Sequence, residues 1–221
     1  TGSVFTRKEL EDIADVIRRH DNIMVIADEI YELINYTDDK VSLASLPDMF
    51  DRTITVNGFA KGFAMTGWRV GYIAAPLWIA KGCTKMQGQI TSANCSIAQR
   101  AALTAITSDL APSHEMADAY ARRRELVAGL LADIPGIKNN MPQGAFYFFP
   151  DVSSYFGKGD GETVIHDASE LCMYILEKAH VSLVTGAAFG DPDCIRLSYA
   201  ASEADLKEAI KRIKELLATL S

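Results

Sequence analysis

The chain has 221 residues, 48% of them hydrophobic and 23% charged, which is enough for one large or two small domains with a real core and excludes a disordered chain. Its 22 Lys and Arg stand against 29 Asp and Glu, a net charge of −7; such a chain is a poor partner for duplex nucleic acid or an anionic membrane. No apolar run approaches the roughly 20 residues that cross a bilayer.

Thr1 to Arg7 carries no basic stretch followed by an apolar core, so no signal peptide is expected, and the missing initiator Met suggests that the natural start lies elsewhere. The four cysteines (Cys83, Cys95, Cys172, Cys194) show no CxxC spacing, and the four histidines form no HxxxH or HExxH pattern. The expectation is therefore no metal site, buried thiols and a reducing, cytoplasmic compartment.

In chain order, Thr6-Arg7-Lys8-Glu9 reads as a capping box, and Leu10, Ile13, Val16 and Ile17 then repeat at helical spacing; a helix is predicted over 7–19. Ile23 to Ala27 is a continuous apolar run, the pattern of a strand buried on both faces. Further strands are predicted over 52–57 and 70–75, and helices over 77–90 and 94–108. This alternation reads as α/β. A long helix is predicted over 112–133, followed by Pro135 and Pro142-Gln143-Gly144 as breaks. A strand at 145–149, a loop at 156–161, a helix over 165–179 and strands at 181–184 and 194–199 come next. Ser202 caps a last helix with Leu206, Ile210, Ile213 and Leu217 on one face. The second half thus reads as a small α+β lobe.

The stretch richest in chemistry runs from Asn57 to Tyr72, NGFAKGFAMTGWRVGY. It is a strand end followed by a small-residue loop with one lysine. Glycines at 58, 62, 67 and 71 let the backbone approach something closely. Arg69, eight residues after Lys61, could clamp a phosphate. By itself the same pattern also describes a surface Lys and a surface Arg flanking an ordinary loop.

As a whole, the stretch resembles the lysine signature of the aspartate-aminotransferase superfamily, the fold-type I enzymes that use pyridoxal 5'-phosphate. The small residue before Lys61, the Gly-Trp-Arg-Val-Gly tail and the Lys-to-Arg distance carry the likeness. The resemblance implies that Lys61 forms the Schiff base with the cofactor aldehyde and that Arg69 binds its phosphate. Gly58 departs from the pattern, since many members have a phosphate-binding Ser three residues before the lysine. Asp28-Glu29-Ile30-Tyr31 resembles the family's Asp-x-x-Tyr. In that light Asp28 keeps the pyridine nitrogen protonated, because an adjacent negative charge favours the cation, and Tyr31 bonds the ring oxygen. Glu29 receives no role. Ile195-Arg196-Leu197-Ser198-Tyr199 is similar to the segment whose arginine grips the substrate α-carboxylate, here Arg196; an ordinary strand arginine is the alternative. Gly144 to Tyr147 and Gly186 to Gly190 match loops of the family's small domain, with Phe189 either walling the substrate site or in the core. Gln89 to Asn94 resembles a segment near the neighbouring subunit's site.

These likenesses imply part of a PLP-dependent transferase fold. Residues 1–111 would be the remainder of the large cofactor-binding domain, and 112–221 the interdomain helix and small C-terminal domain. They further imply an aminotransferase acting on an amino acid and a 2-oxo acid, aspartate and 2-oxoglutarate first, as a cytoplasmic homodimer when intact, with no metal, nucleic acid or membrane partner. A carbon–sulfur lyase on the same fold, or the ligand-sensing domain of a transcription regulator, are the alternatives. Thr1-Gly2 resembles the tail of the family's Asn-Pro-x-Gly loop. The chain is therefore expected to be a C-terminal part that is not competent alone. Its sheet is expected to show uncovered edges and apolar faces.

Overall fold

The computed structural model describes residues 1–221. By internal contacts the chain divides into two compact units, Val4–Ala117 and Asp118–Ser221 together with Thr1–Ser3, with the division inside one long helix.

The 4–117 unit opens with helix α1 (Arg7–Arg18). Its capping box is complete: the Thr6 hydroxyl accepts from the Glu9 amide, and the Glu9 carboxylate accepts from the Thr6 amide at 2.8 Å. Two backbone donors that the helix cannot satisfy itself are thus paired. Ala14 and Ile17 point into a small core with Leu43, Leu46 and Met49. At the other end Arg52 donates to the carbonyls of Ile17 and His20, where a cation also complements the helix dipole.

Strand β1 (Val25–Asp28) pairs parallel with β2 (Thr53–Gly58), and β2 pairs antiparallel with β3 (Gly71–Ala74). β1 starts two residues later than the sequence suggests, because the Ile23 amide is still tied to the His20 carbonyl of the preceding turn. The expectation that this strand is buried on both faces is not met. Its positions alternate, and Ile26 is 73% exposed. Periodicity alone cannot tell a strand with both faces covered from one whose second face lacks a cover within the chain. All four residues of β3 are exposed as well. Helices α2 (Leu77–Ile90) and α3 (Ser96–Thr107) follow; α2 buries no residue and α3 buries only Ala98 and Ala102. For that reason Cys83 and Cys95 are exposed, against the expectation of buried thiols, whereas Cys172 and Cys194 are buried. Burial pushes these last two thiols up to about 11.

Helix α4 (Ala111–Ala132) leads into the second unit, whose sheet has the order β4 (Tyr147–Phe148), β6 (Ile195–Ser198), β5 (Val184–Thr185), all antiparallel. The apolar run at 145–149 yields only two strand residues because Ala145 adopts a left-handed φ of 58°, incompatible with a strand. Helix α5 (Ala168–Ala179) begins three residues later than expected. The Asp167 side chain accepts from the Ser169 and Glu170 amides and so fixes the start. Helix α6 (Glu203–Leu217) is capped by Ser202 and buries Leu206, Ile210, Ile213 and Leu217, as its sequence pattern indicates. These residues join Phe148, Tyr199, Leu171, Ile175, Leu131 and Val127 in one continuous core. No helix is long and apolar enough to cross a membrane.

Candidate active site

The lysine loop begins where β2 ends. Gly58 pairs with Gly71 across the antiparallel ladder. A Cβ on Gly58 would lie 2.9 Å from the Gly71 Cα and 3.0 Å from the Val70 carbonyl oxygen, so a serine here could not enter without shifting the strands. The Gly58 amide instead donates to the side-chain oxygen of buried Asn57 at 2.7 Å.

Beyond Gly58 the chain folds back on itself. The Met65 amide donates to the Phe59 carbonyl, and the Ala64 amide to that of Lys61. Ala64 and Arg69 both take left-handed conformations. Gly62 lies against Leu33, whose side chain a Cβ there would meet at 2.8 Å. Half-buried Lys61 is thereby presented from a constrained turn, with its Nζ 5.7 Å from the centroid of the Tyr31 ring.

Arg69 is exposed, and one guanidinium nitrogen donates to the Thr66 carbonyl at 3.0 Å. The Thr66 hydroxyl donates to the carbonyl of Ala60, the residue before Lys61. Thr66 therefore ties the arginine to the lysine turn, a role the sequence did not signal. Asp28 closes β1, opposite Val56 in the parallel register. One of its carboxylate oxygens accepts from the Ile30 amide at 3.2 Å. That bond shapes the turn which carries Tyr31, while the exposed carboxylate keeps capacity for another donor. Glu29 is occupied elsewhere: the Ser42 hydroxyl donates to it at 2.7 Å, and burial raises its carboxyl above the usual range. The structure thus brings Lys61 to Tyr31, and ties Arg69 through Thr66 to the lysine turn.

Arg196 belongs to the other unit. It sits on β6 opposite Val184 of β5, half-buried, with its Cζ 4.4 Å from the Tyr147 ring centroid and 4.1 Å from that of Phe189. Phe189 ends a short 3-10 turn (Gly186–Phe189) and is 41% exposed, so it is not a core residue. The turn depends on Gly186, whose Cβ would fall within 2.4 Å of the Asp191 and Cys194 carbonyl oxygens.

A family model described as aminotransferase class I and II matches residues 1–213. The chain belongs to that family. Among its relatives is a bifunctional aspartate aminotransferase and glutamate/aspartate-prephenate aminotransferase of Petunia hybrida, 49% identical over all of this chain and 47% of the relative. An aspartate aminotransferase of Pinus pinaster is 48% identical over all of the chain and 46% of the relative. The crystal structure of the Rhizobium meliloti aspartate aminotransferase superposes with a TM-score of 0.95 at 37% identity, covering 100% of this chain and 56% of that one. The chain therefore has part of this family's α/β fold and spans about half the length of the curated relatives it matches.

Proposed function

We propose that this chain carries amino-transfer machinery of a pyridoxal 5'-phosphate enzyme that moves an amino group between an amino acid, aspartate first, and a 2-oxo acid such as 2-oxoglutarate. The observation that carries the reading is the constrained lysine turn, with Lys61 Nζ beside the Tyr31 ring and Arg69 tied to the same turn through Thr66. The relatives' names support the choice of substrates.

The donor set fits the cofactor group by group. The Lys61 amine suits its aldehyde, the Asp28 carboxylate its ring nitrogen, the Tyr31 phenol its ring oxygen and the Arg69 guanidinium its phosphate. When bound, the cofactor supplies an electron sink for the charge left as the substrate α-carbon loses its proton. The chain's own residues do the rest. Lys61 Nζ takes that α-proton and holds it for return, as a general base turned acid. Asp28 holds a proton on the ring nitrogen, since a fixed negative charge favours the protonated form. Arg69 fixes the phosphate end, and Thr66 holds Arg69. Arg196 offers a planar fork of N–H donors that matches a carboxylate with two parallel bonds. A cytoplasmic homodimer of the family-length enzyme goes with this reading.

The test uses a family-length enzyme that contains this sequence. Mixing it with aspartate and 2-oxoglutarate should yield glutamate, and Lys61→Ala should abolish the transfer. Pyruvate released from a sulfur-containing amino acid, with no glutamate formed, would overturn the reading in favour of a lyase.

A further inference from the structure

The surroundings of Arg196 carry an arrangement that a carboxylate-binding role does not by itself require. The guanidinium contacts two aromatic rings, and no Asp or Glu of the chain is paired with it. A half-buried cation normally gains a carboxylate or carbonyl partner. Here ring faces take that place. An aromatic face attracts the cation through its quadrupole and consumes no N–H, so all five donors stay available for oxygen.

The two rings come from either side of β6. Tyr147 lies on β4, opposite Ser198, and Phe189 ends the turn that follows β5. Each ring is braced in turn. Phe146 lies 4.6 Å from Tyr147 between centroids, and Phe149 meets Phe189 edge-on at 6.2 Å. Phe189 is also held by a turn whose Gly186 amide donates to the Cys194 carbonyl at 2.7 Å, two residues before Arg196. Strand and turn therefore fix the rings, and the rings fix a long side chain that would otherwise lose rotamer freedom on binding.

We propose that Tyr147 and Phe189 are positioning residues that hold the Arg196 guanidinium ready for a carboxylate of the amino acid or 2-oxo acid. The proposal deepens the substrate role given to Arg196 above and rests on it.

Succinate, a dicarboxylate with no amino group to transfer, serves as the probe, titrated into the cofactor-loaded family-length enzyme. Phe189→Leu and Tyr147→Leu should each weaken succinate binding by about 3- to 10-fold. Phe189→Tyr and Tyr147→Phe, which keep the rings, should bind like the wild type. In turnover, KM for aspartate should rise by more than kcat falls. Arg196→Ala is the reference and should lose more than either ring variant. If Arg196→Ala binds succinate normally, the carboxylate role fails and the proposal with it. If Arg196→Ala loses binding but both leucine variants retain it, the carboxylate role stands and the positioning role is refuted. If the ring-keeping variants lose as much as the leucine variants, the rings are only structural and the proposal is equally refuted.

Discussion

The two units of this chain reach different degrees of closure. In the 118–221 unit, α5, α6 and the β4–β6–β5 sheet enclose one core, from Phe148 and Tyr199 at the sheet to Ile210 and Ile213 on the last helix. The core cluster of the 4–117 unit is small, five buried residues between α1 and the segment after β1, and its other buried apolar side chains, Ile34, Phe59, Ala98 and Ala102, lie outside that cluster. This unit leaves large apolar side chains such as Trp78, Met86, Ile90 and Ile97 in solvent. Both units have well-formed helices, so local signals do not separate them. The difference lies in what each helix packs against. The stretch that holds the cofactor candidates is thus locally well ordered but sits in a unit with little core of its own, whereas Arg196 sits in a unit that completes its core from its own residues.

A core truncation should separate the two units most strongly. Phe148→Ala should destabilise the chain by about 3–5 kcal/mol, the range for deleting a buried aromatic. Leu77→Ala, at a 68% exposed position, should stay within about 0.5 kcal/mol. Denaturant unfolding of both variants checks this, and comparable losses would mean that the α2 face is covered after all. Next in size is Gly58→Ser. It should cost about 1–3 kcal/mol, because the new Cβ meets the Gly71 and Val70 backbone. Thermal melts would show it, and a neutral or stabilising result would mean that β2 and β3 can separate at low cost.

Self-association should distinguish the units next. An exposed apolar surface of this extent marks an interaction face, so the isolated chain should gain mass with concentration in sedimentation. The double variant Ile90→Lys, Ile97→Lys should suppress that gain. A chain that stays monomeric at every concentration would contradict the reading of the α2 and α3 faces.

A smaller effect is a pH dependence carried by two carboxylates of the 118–221 unit. Hydrogen bonds from the Ser153 hydroxyl and amide, then the Lys138 ammonium, hold the Asp151 carboxyl down to about 2 from an ordinary 3.8. The Thr163 and Glu162 amides and the Tyr174 hydroxyl do the same for Asp160. A depressed folded value means that the ionised carboxylates stabilise the folded state above 3.8, and that this contribution is lost as pH falls towards about 2. Asp151→Asn should flatten the acid limb of the stability curve in that window, modestly because the group is well solvated. An unchanged limb would show that the hydrogen bonds persist without the charge.

Much of the fold was legible because it is set by contacts near in sequence. The Thr6–Glu9 box, the Ser202 cap and the apolar face of α6 need only neighbours three or four residues apart. Strand ends were less legible, since a left-handed Ala145 or an Asp167 side chain that caps a helix is decided by local geometry that apolar runs do not encode. Burial was the least legible. Ile26 sits in an apolar run and the two exposed cysteines among small and polar residues, and neither pattern says whether another segment covers them. Within the candidate site, Lys61, Asp28, Tyr31, Arg69 and Arg196 were named through family resemblance. Phe189 and the loop that ends at Tyr147 were singled out by the same resemblance, but Thr66 and the stacking of the two rings on Arg196 emerged only with side-chain contacts, some between positions far apart in the chain.

On this reading Lys61 is the residue that holds the cofactor. Borohydride reduction of the pyridoxal-phosphate-loaded, family-length enzyme, followed by peptide mapping, tests it most directly. A stable pyridoxyl mass addition should appear on Lys61 alone, and a modification on Lys81 or Lys85 in place of Lys61 would remove that role from it.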